Sequence, residues 1–158
     1  ELGGSAYYDI NNETGLIIPI LDFETERNTI YAVIDAINAG LLLSCHDISD
    51  GGLAAAISEM ILGGDADGEI GAEINLDFTD LRTDKALFSE SSGFVFEVEE
   101  KNVQRLRTLF KFYKISLIEL GKTKGNRLAI TKNNKKIIDL PISKLKEAWT
   151  KGFVEALE

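Results

Sequence analysis

The sequence predicts a mixed α/β (α+β) domain in which helices pack on a mixed sheet. Apolar residues recur with the period of a helix over 24–38 and 53–62 and with the period of a strand over 69–76. Strand and helix patterns alternate through the first two-thirds of the chain, and the last third closes with a hairpin and a helix. At 158 residues, 44% hydrophobic and 27% charged, the make-up is that of one ordinary domain, and chains near this size bury roughly 68–70% of their unfolded surface. We read 1–158 as a single domain, with no repeat, low-complexity tract or linker.

Each element has its own signal. In 24–38, Ile30, Val33, Ile34 and Ile37 share one helical face, and Gly40 stands where a left-handed residue ends a helix. Leu41-Leu-Leu-Ser-Cys45 is an apolar run suited to a buried strand, with Cys45 a small hydrophobe pointing into the sheet. The polar His46-Asp-Ile-Ser-Asp-Gly-Gly52 is then a turn. In the next helix Leu53, Ile57, Met60 and Ile61 fall on one face, the alanines between them permit close approach to a sheet, and Gly63-Gly64 ends it. Ile70, Ala72, Ile74 and Leu76 alternate as in a half-buried strand over 69–76.

A short helix is expected over 83–88. Phe94-Val-Phe-Glu-Val98 reads as a strand, 102–113 as a helix with Val103, Leu106 and Phe110 inward, and 115–120 as a further strand, together a β-α-β unit. Strands over 128–131 and 136–140 form a hairpin through Asn133-Asn134, because asparagine tolerates the positive φ of a tight turn. Ser143 caps a last helix whose apolar stripe is Leu145, Ala148, Trp149 and Phe153, and Gly152 weakens it by about 1 kcal/mol relative to alanine.

Composition excludes several classes of function. Seventeen Lys+Arg against 26 Asp+Glu give a net charge of −9, which disfavours nucleic acid and anionic membranes as partners. Residues 1–100 carry 21 acidic and 3 basic side chains, whereas residues 101–158 carry 5 and 14. An acidic half suits a divalent metal or a basic neighbour, and a basic half suits phosphate or an acidic neighbour; solvated faces explain the same counts. No apolar run nears the roughly 18 residues of a membrane span. The start, Glu1-Leu-Gly-Gly-Ser5, lacks an initiator Met and signal-peptide character, so we expect a soluble protein cut from a longer chain. With Cys45 the one cysteine and His46 the one histidine, an internal disulfide and a Cys/His zinc cage are excluded.

The most informative segment is Ser44-Cys-His-Asp-Ile-Ser-Asp-Gly-Gly-Leu53, which joins a strand directly to a helix. Outward-facing amides of Gly51 and Gly52 at a helix start suit an anion. Asp47 and Asp50 repel phosphate alone but complement it when Mg²⁺ lies between them. The same residues also serve an ordinary turn, with Ser49 or Asp50 capping the helix. His46 beside two aspartates suits proton transfer, or a hydrogen-bonded structural role. Ser89-Glu-Ser-Ser-Gly93 supplies hydroxyls and a carboxylate for a sugar or phosphate, or a plain polar loop, and Lys122, Lys124 and Arg127 form a basic loop. Gly63-Gly-Asp-Ala-Asp-Gly68 has the look of a calcium loop without the EF-hand spacing.

His46-Asp-Ile-Ser-Asp-Gly-Gly-Leu-Ala-Ala-Ala-Ile-Ser-Glu-Met60 closely resembles the phosphoribosylformylglycinamidine synthase family. Leu2-Gly-Gly-Ser5 with Tyr8, Phe88-Ser-Glu-Ser91, 94–97, 118–121, Asp139-Leu-Pro141 and Leu145-Lys-Glu-Ala-Trp149 follow in that family's order across the whole length. A bare Asp-x-Ser-Asp-Gly is less specific, being similar to a segment of thiamine monophosphate kinase, and related turns occur in aminoimidazole ribonucleotide synthetase and hydrogenase maturation proteins.

The resemblance implies the last domain of the large synthetase subunit, the second of its C-terminal-type halves, with a three-layer α-β-α fold of partly ferredoxin-like topology. The implied reaction is the ATP-dependent conversion of a formylglycinamide amide to an amidine in purine biosynthesis, using ammonia from a separate glutaminase. It further implies ATP and Mg²⁺ as cofactors of the complete enzyme, held mainly in preceding domains, with none tightly bound here. The implied partners are the preceding domains, a glutaminase subunit and a small accessory subunit, in the cytoplasm. The family's catalytic histidine lies in those preceding domains, so no residue here is implied to be catalytic and the domain alone is expected to be inactive.

The ligand-contact candidates are His46, Asp47, Ser49, Asp50, Gly51, Gly52, Ser89, Glu90 and Ser91, with Asp47 and Asp50 as metal ligands. Ser89-Glu90-Ser91 resembles the Glu-Ser-Gln substrate loop of the first C-terminal half and departs from it at Ser92. Two other readings are a scaffold module without ligand contact and the C-terminal domain of another superfamily member such as thiamine monophosphate kinase.

Overall fold

The computed structural model describes residues 1–64 and 70–155. In chain order the elements are α1 (Ala6–Ile10), α2 (Phe23–Asn38), β1 (Ser44–Asp47), α3 (Gly52–Leu62), β2 (Ala72–Asn75), α4 (Thr83–Phe88), β3 (Phe94–Glu97), α5 (Val103–Phe112), β4 (Gly121–Thr123), β5 (Arg127–Lys132), β6 (Lys135–Pro141) and α6 (Ile142–Glu155). The architecture is mixed α+β, and its strands fall into two ladders: an antiparallel pair, β1-β3, and a four-stranded mixed sheet in the order β4-β2-β5-β6. The chain divides into two units, Glu1–Ile57 with Asp84–Glu119, and Ser58–Thr83 with Leu120–Glu158. The stretch 65–69, which holds most of the calcium-loop-like sequence and the start of the strand expected at 69, lies outside the described residues.

In the first unit, α2 starts at Asp22, whose carboxylate accepts from the amides of Glu24 and Thr25. Those bonds, Thr25 first, hold its carboxyl below the usual range. The helix ends as Gly40 predicts: at φ +63° it lets its own amide reach Ile37 O and the Leu41 amide reach Ala36 O, both at 3.0 Å. The inward face differs from the expected isoleucine stripe. Ala32, Val33 and Ala36 are buried against Leu41, Leu106 and Phe110, while Ile30, Ile34 and Ile37 stay 45–55% exposed. Small residues allow α2 to lie close to α5 and β3, and the isoleucines flank that contact on the adjoining side of the helix.

Two strands are displaced from their expected places. Leu41 closes α2, buried among its residues, so the strand starts late: the Leu43 amide donates to Glu97 O at 2.8 Å and β1 begins at Ser44, opposite Glu97. Cys45 is therefore exposed, contrary to the buried role expected of it. Over 115–120 no ladder forms. Lys114 takes φ +59° and the Ile115 amide returns to Phe110 O at 3.0 Å, so this stretch first closes α5. Contact with β2 begins at Leu120, whose carbonyl accepts from the Asn75 amide at 2.8 Å, β4 starts at Gly121, opposite Ile74, and the β-α-β unit is not made.

In the second unit, β2 runs parallel to β5 and antiparallel to β4. Ala72, Ile74, Leu76, Leu128 and Ile130 are buried, which matches the period-2 pattern. The β5–β6 hairpin turns through Asn133 and Asn134 at φ +50° and +58°, as their residue type predicts. Helix α6 starts one residue before Ser143, at buried Ile142, so Ser143 is an exposed helical residue and not the cap. The expected stripe is not covered: Ala148 is exposed, Trp149 is 59% exposed and only Leu145 is half-buried. The side chain of Phe153 lies outside the described set.

Candidate functional site

The β1–β3 register brings the two predicted loops together. Asp47 pairs with Phe94 and His46 with Val95, so in an antiparallel ladder whatever follows β1 must lie beside whatever precedes β3. The pairing runs one residue further, with the Ile48 amide donating to Gly93 O at 2.8 Å. The turn over 48–52 and the loop over 89–93 therefore meet, both inside the first unit.

At the centre of that meeting is Glu90. Its Oε1 accepts from the Gly51 amide at 2.9 Å and from the Ala6 amide at 2.8 Å. A hydrogen bond to a charged group contributes about 1.5–3 kcal/mol, and the carboxylate also lies at the start of α3, where the helix dipole favours negative charge. The Gly52 amide donates to Ser49 O at 2.9 Å. The structure thus corrects one expectation: the amides of Gly51 and Gly52 are committed within the chain and do not face outward for an external anion. Both glycines are nonetheless required by the backbone, at φ +77° and +66°. A Cβ on Gly52 would lie 2.8 Å from Leu87 O and from Phe88 Cα, so the turn is seated directly on the end of α4.

The serines of the 89–93 loop are also turned to the chain. Ser89 Oγ donates to Glu1 O at 2.7 Å and lies 3.0 Å from Ser91 Oγ, whose other neighbour is Glu1 Oε2 at 3.5 Å. Ser92 donates to Glu26 on α2. Tyr7 of α1 stacks on Phe88, with ring centroids 4.4 Å apart. No local pattern in the sequence marks these contacts of Glu1, Ala6 and Glu26, whose partners lie 66 or more positions away. The one local signal was Ser5, which caps α1 by accepting from the Tyr8 amide.

The other candidates remain on the surface. His46 Nδ1 lies 2.7 Å from Asp47 O and 3.5 Å from Asp47 Oδ1. Asp47, Ser49 and Asp50 are exposed. Among the described residues no group of three or more His, Cys, Asp or Glu side chains converges as a metal site, so Asp47 and Asp50 are not part of a preformed metal cluster. Of the basic loop, Lys124 is paired with Glu73 and Arg127 with Asp139. An open groove of about 740 Å³ between α2 and α5 is lined by Asp35, Leu41, Arg105 and Phe112 among others, and by none of the predicted site residues. No helix among the described residues is long and apolar enough to cross a membrane.

A family model described as AIR synthase related protein, C-terminal domain, matches residues 1–132. The phosphoribosylformylglycinamidine synthase subunit PurL of Methanothrix thermoacetophila is 38% identical over 99% of this chain and 20% of its own length. The chain spans about a fifth of the length of the curated relatives it matches. Among solved structures, Thermotoga maritima PurL complexed with ATP superposes with a TM-score of 0.70 at 21% identity, over 82% of this chain and 23% of that one. PurLQS from Thermotoga maritima gives 0.67 at 22% identity, over 84% and 23%. At these identities the likeness is one of fold.

Proposed function

Because the chain belongs to the AIR synthase related protein C-terminal domain family, we propose that it is a C-terminal-type domain, the last one, of a phosphoribosylformylglycinamidine synthase large subunit. The observation that carries this reading is the 38% identity that runs along 99% of the chain while covering only a fifth of a PurL relative. On this reading residues 1–158 act as one domain of a cytoplasmic ligase. The complete subunit makes an amidine from a formylglycinamide at the expense of ATP, with ammonia delivered by a glutaminase subunit and with a small accessory subunit in the assembly.

This chain's own residues do not make a complete nucleotide or magnesium site. The Gly51 and Gly52 amides are already used, and Asp47 and Asp50 are not part of a preformed metal cluster among the described residues. The main ligands of ATP and Mg²⁺ are therefore assigned to the rest of the subunit, with Asp47 and Asp50 as contributors from this side. The role left to this domain is to present the half-exposed His46 and the exposed Asp47, Ser49 and Asp50 to a neighbouring domain or its ligand, on a turn held from behind by Glu90, whose loop Ser89 and Ser91 tie to Glu1.

The test compares the isolated chain with the complete subunit. The isolated chain is expected to form no product from ATP, ammonia and the formylglycinamide substrate, and robust turnover would overturn its assignment as a dependent domain. In the complete subunit, Asp47→Ala with Asp50→Ala is expected to change magnesium dependence. Unchanged kinetics with a lowered melting temperature would instead identify a scaffold module.

A further inference from the structure

Three of the four side chains over 89–92 bind either the chain's N-terminal residues, each other or α2. Among the described side chains of this loop, Glu90 is the one that reaches the turn carrying the exposed Asp50, and it does so through a single oxygen shared by two amides that are distant in sequence. The turn has little other freedom. Gly52 lies against the backbone of Leu87 and Phe88, and Ile48 is hydrogen-bonded to Gly93, so the same stretch of chain that bears Glu90 also forms the seat beneath the turn. Between these fixed points sit Ser49, Asp50 and Gly51, and the one side chain that holds the Gly51 end is the Glu90 carboxylate.

We propose that Glu90 is a positioning residue: by holding the Gly51 amide it sets where Ser49 and Asp50 stand, beside the ladder-held Asp47, for the divalent cation and phosphate chemistry of the complete subunit. This rests on the functional reading above. Glu90 is turned inward and touches no ligand in this role; its effect passes through the turn.

The experiment uses the full-length subunit carrying Glu90→Ala, Glu90→Gln or Glu90→Asp, with Ser92→Ala as the control that removes a contact of the same loop without reaching the turn. Magnesium half-saturation, KM for ATP, kcat and melting temperature are measured for each. Loss of a group that orients ligand-bearing residues typically costs about 10–100-fold in metal affinity or activity. Glu90→Ala is accordingly expected to raise magnesium half-saturation at least about tenfold, with kcat far less affected. Glu90→Gln, which keeps an oxygen acceptor, restores most of the loss, and Ser92→Ala changes only the melting temperature. Should Glu90→Ala fail to fold, Glu90→Asp, which withdraws the carboxylate by one methylene, carries the same test. The inference is overturned if the Glu90 variants shift only melting temperature, as Ser92→Ala does. The double variant Asp47→Asn, Asp50→Asn separates the two levels: altered magnesium dependence there, with none in the Glu90 variants, sinks the positioning role alone. No change in either set sinks the functional reading itself.

Discussion

Arg127 holds Asp139 twice, its Nε donating to Oδ1 at 2.6 Å and an Nη to the Asp139 carbonyl at 3.0 Å. The two residues are diagonal neighbours across the β5–β6 ladder, in which Ala129 is the residue facing Asp139. Lys136 donates to the other carboxylate oxygen at 2.6 Å. The two cations, Lys136 first, hold the Asp139 carboxyl below its ordinary value.

A carboxylate held down in the folded state stabilises fully above its unfolded value, and that stabilisation is lost as pH falls through the folded one. Asp139→Asn is therefore expected to lower the denaturation midpoint at neutral pH and to make no difference in strong acid. Because the cluster is solvent-exposed, molar salt should shrink the neutral-pH effect as well. An equal loss at both pH values would show that Asp139 acts through packing and not through charge.

Gly40 and Gly52 both sit at left-handed φ, but their surroundings differ. A Cβ at Gly40 meets nothing within 4 Å, so Gly40→Ala should cost only the conformational term, about 1–2 kcal/mol. At Gly52 the same methyl meets the Leu87 and Phe88 backbone at 2.8 Å, and Gly52→Ala should cost about 2–5 kcal/mol once overpacking is added. Urea denaturation of the two variants reads the difference directly, and equal losses would refute the close seat of the turn on α4.

Phe110 is 1% exposed and its ring lies 5.5 Å from that of Phe96. Phe110→Ala should destabilise by about 3–5 kcal/mol. Ile34, though part of the most regular apolar stripe in the sequence, is 45% exposed, and Ile34→Ala in this chain should cost under about 1 kcal/mol, as a partly exposed site without special contacts does. A comparable loss at both positions would mean that the α2 stripe is covered after all.

Although Cys45 is exposed as a residue, local desolvation of its thiol by neighbouring chain pushes it up, with the Asp47 charge as the smaller cause. Alkylation of the folded chain should consequently have its pH midpoint above that of the unfolded chain. Asp47→Asn should move that midpoint only part of the way down, because burial is the larger cause. A full return to the unfolded value would reverse that order.

Most element boundaries were legible because their signals are local. Gly40 ends α2, alternation marks β2, the 83–88 helix and the 94–97 strand fall where composition puts them, and two asparagines make the β5–β6 turn. The errors share a cause. The runs 41–45 and 115–120 have strand-like composition, yet the residues after α2 and after α5 are first used to close a helix, and whether a strand forms depends on a partner elsewhere in the chain.

Local chemistry, which is written in residue type and spacing, thus settled the class of fold and the two loops worth attention, and the resemblance carried by those residues pointed to the family. What it left open was which atoms those loops offer outward. That was decided by the register of β1 on β3, which sets Glu90 against Gly51. A hydrogen bond between residues 39 positions apart exists only once the ladder has closed the intervening chain, so no window of sequence contains it.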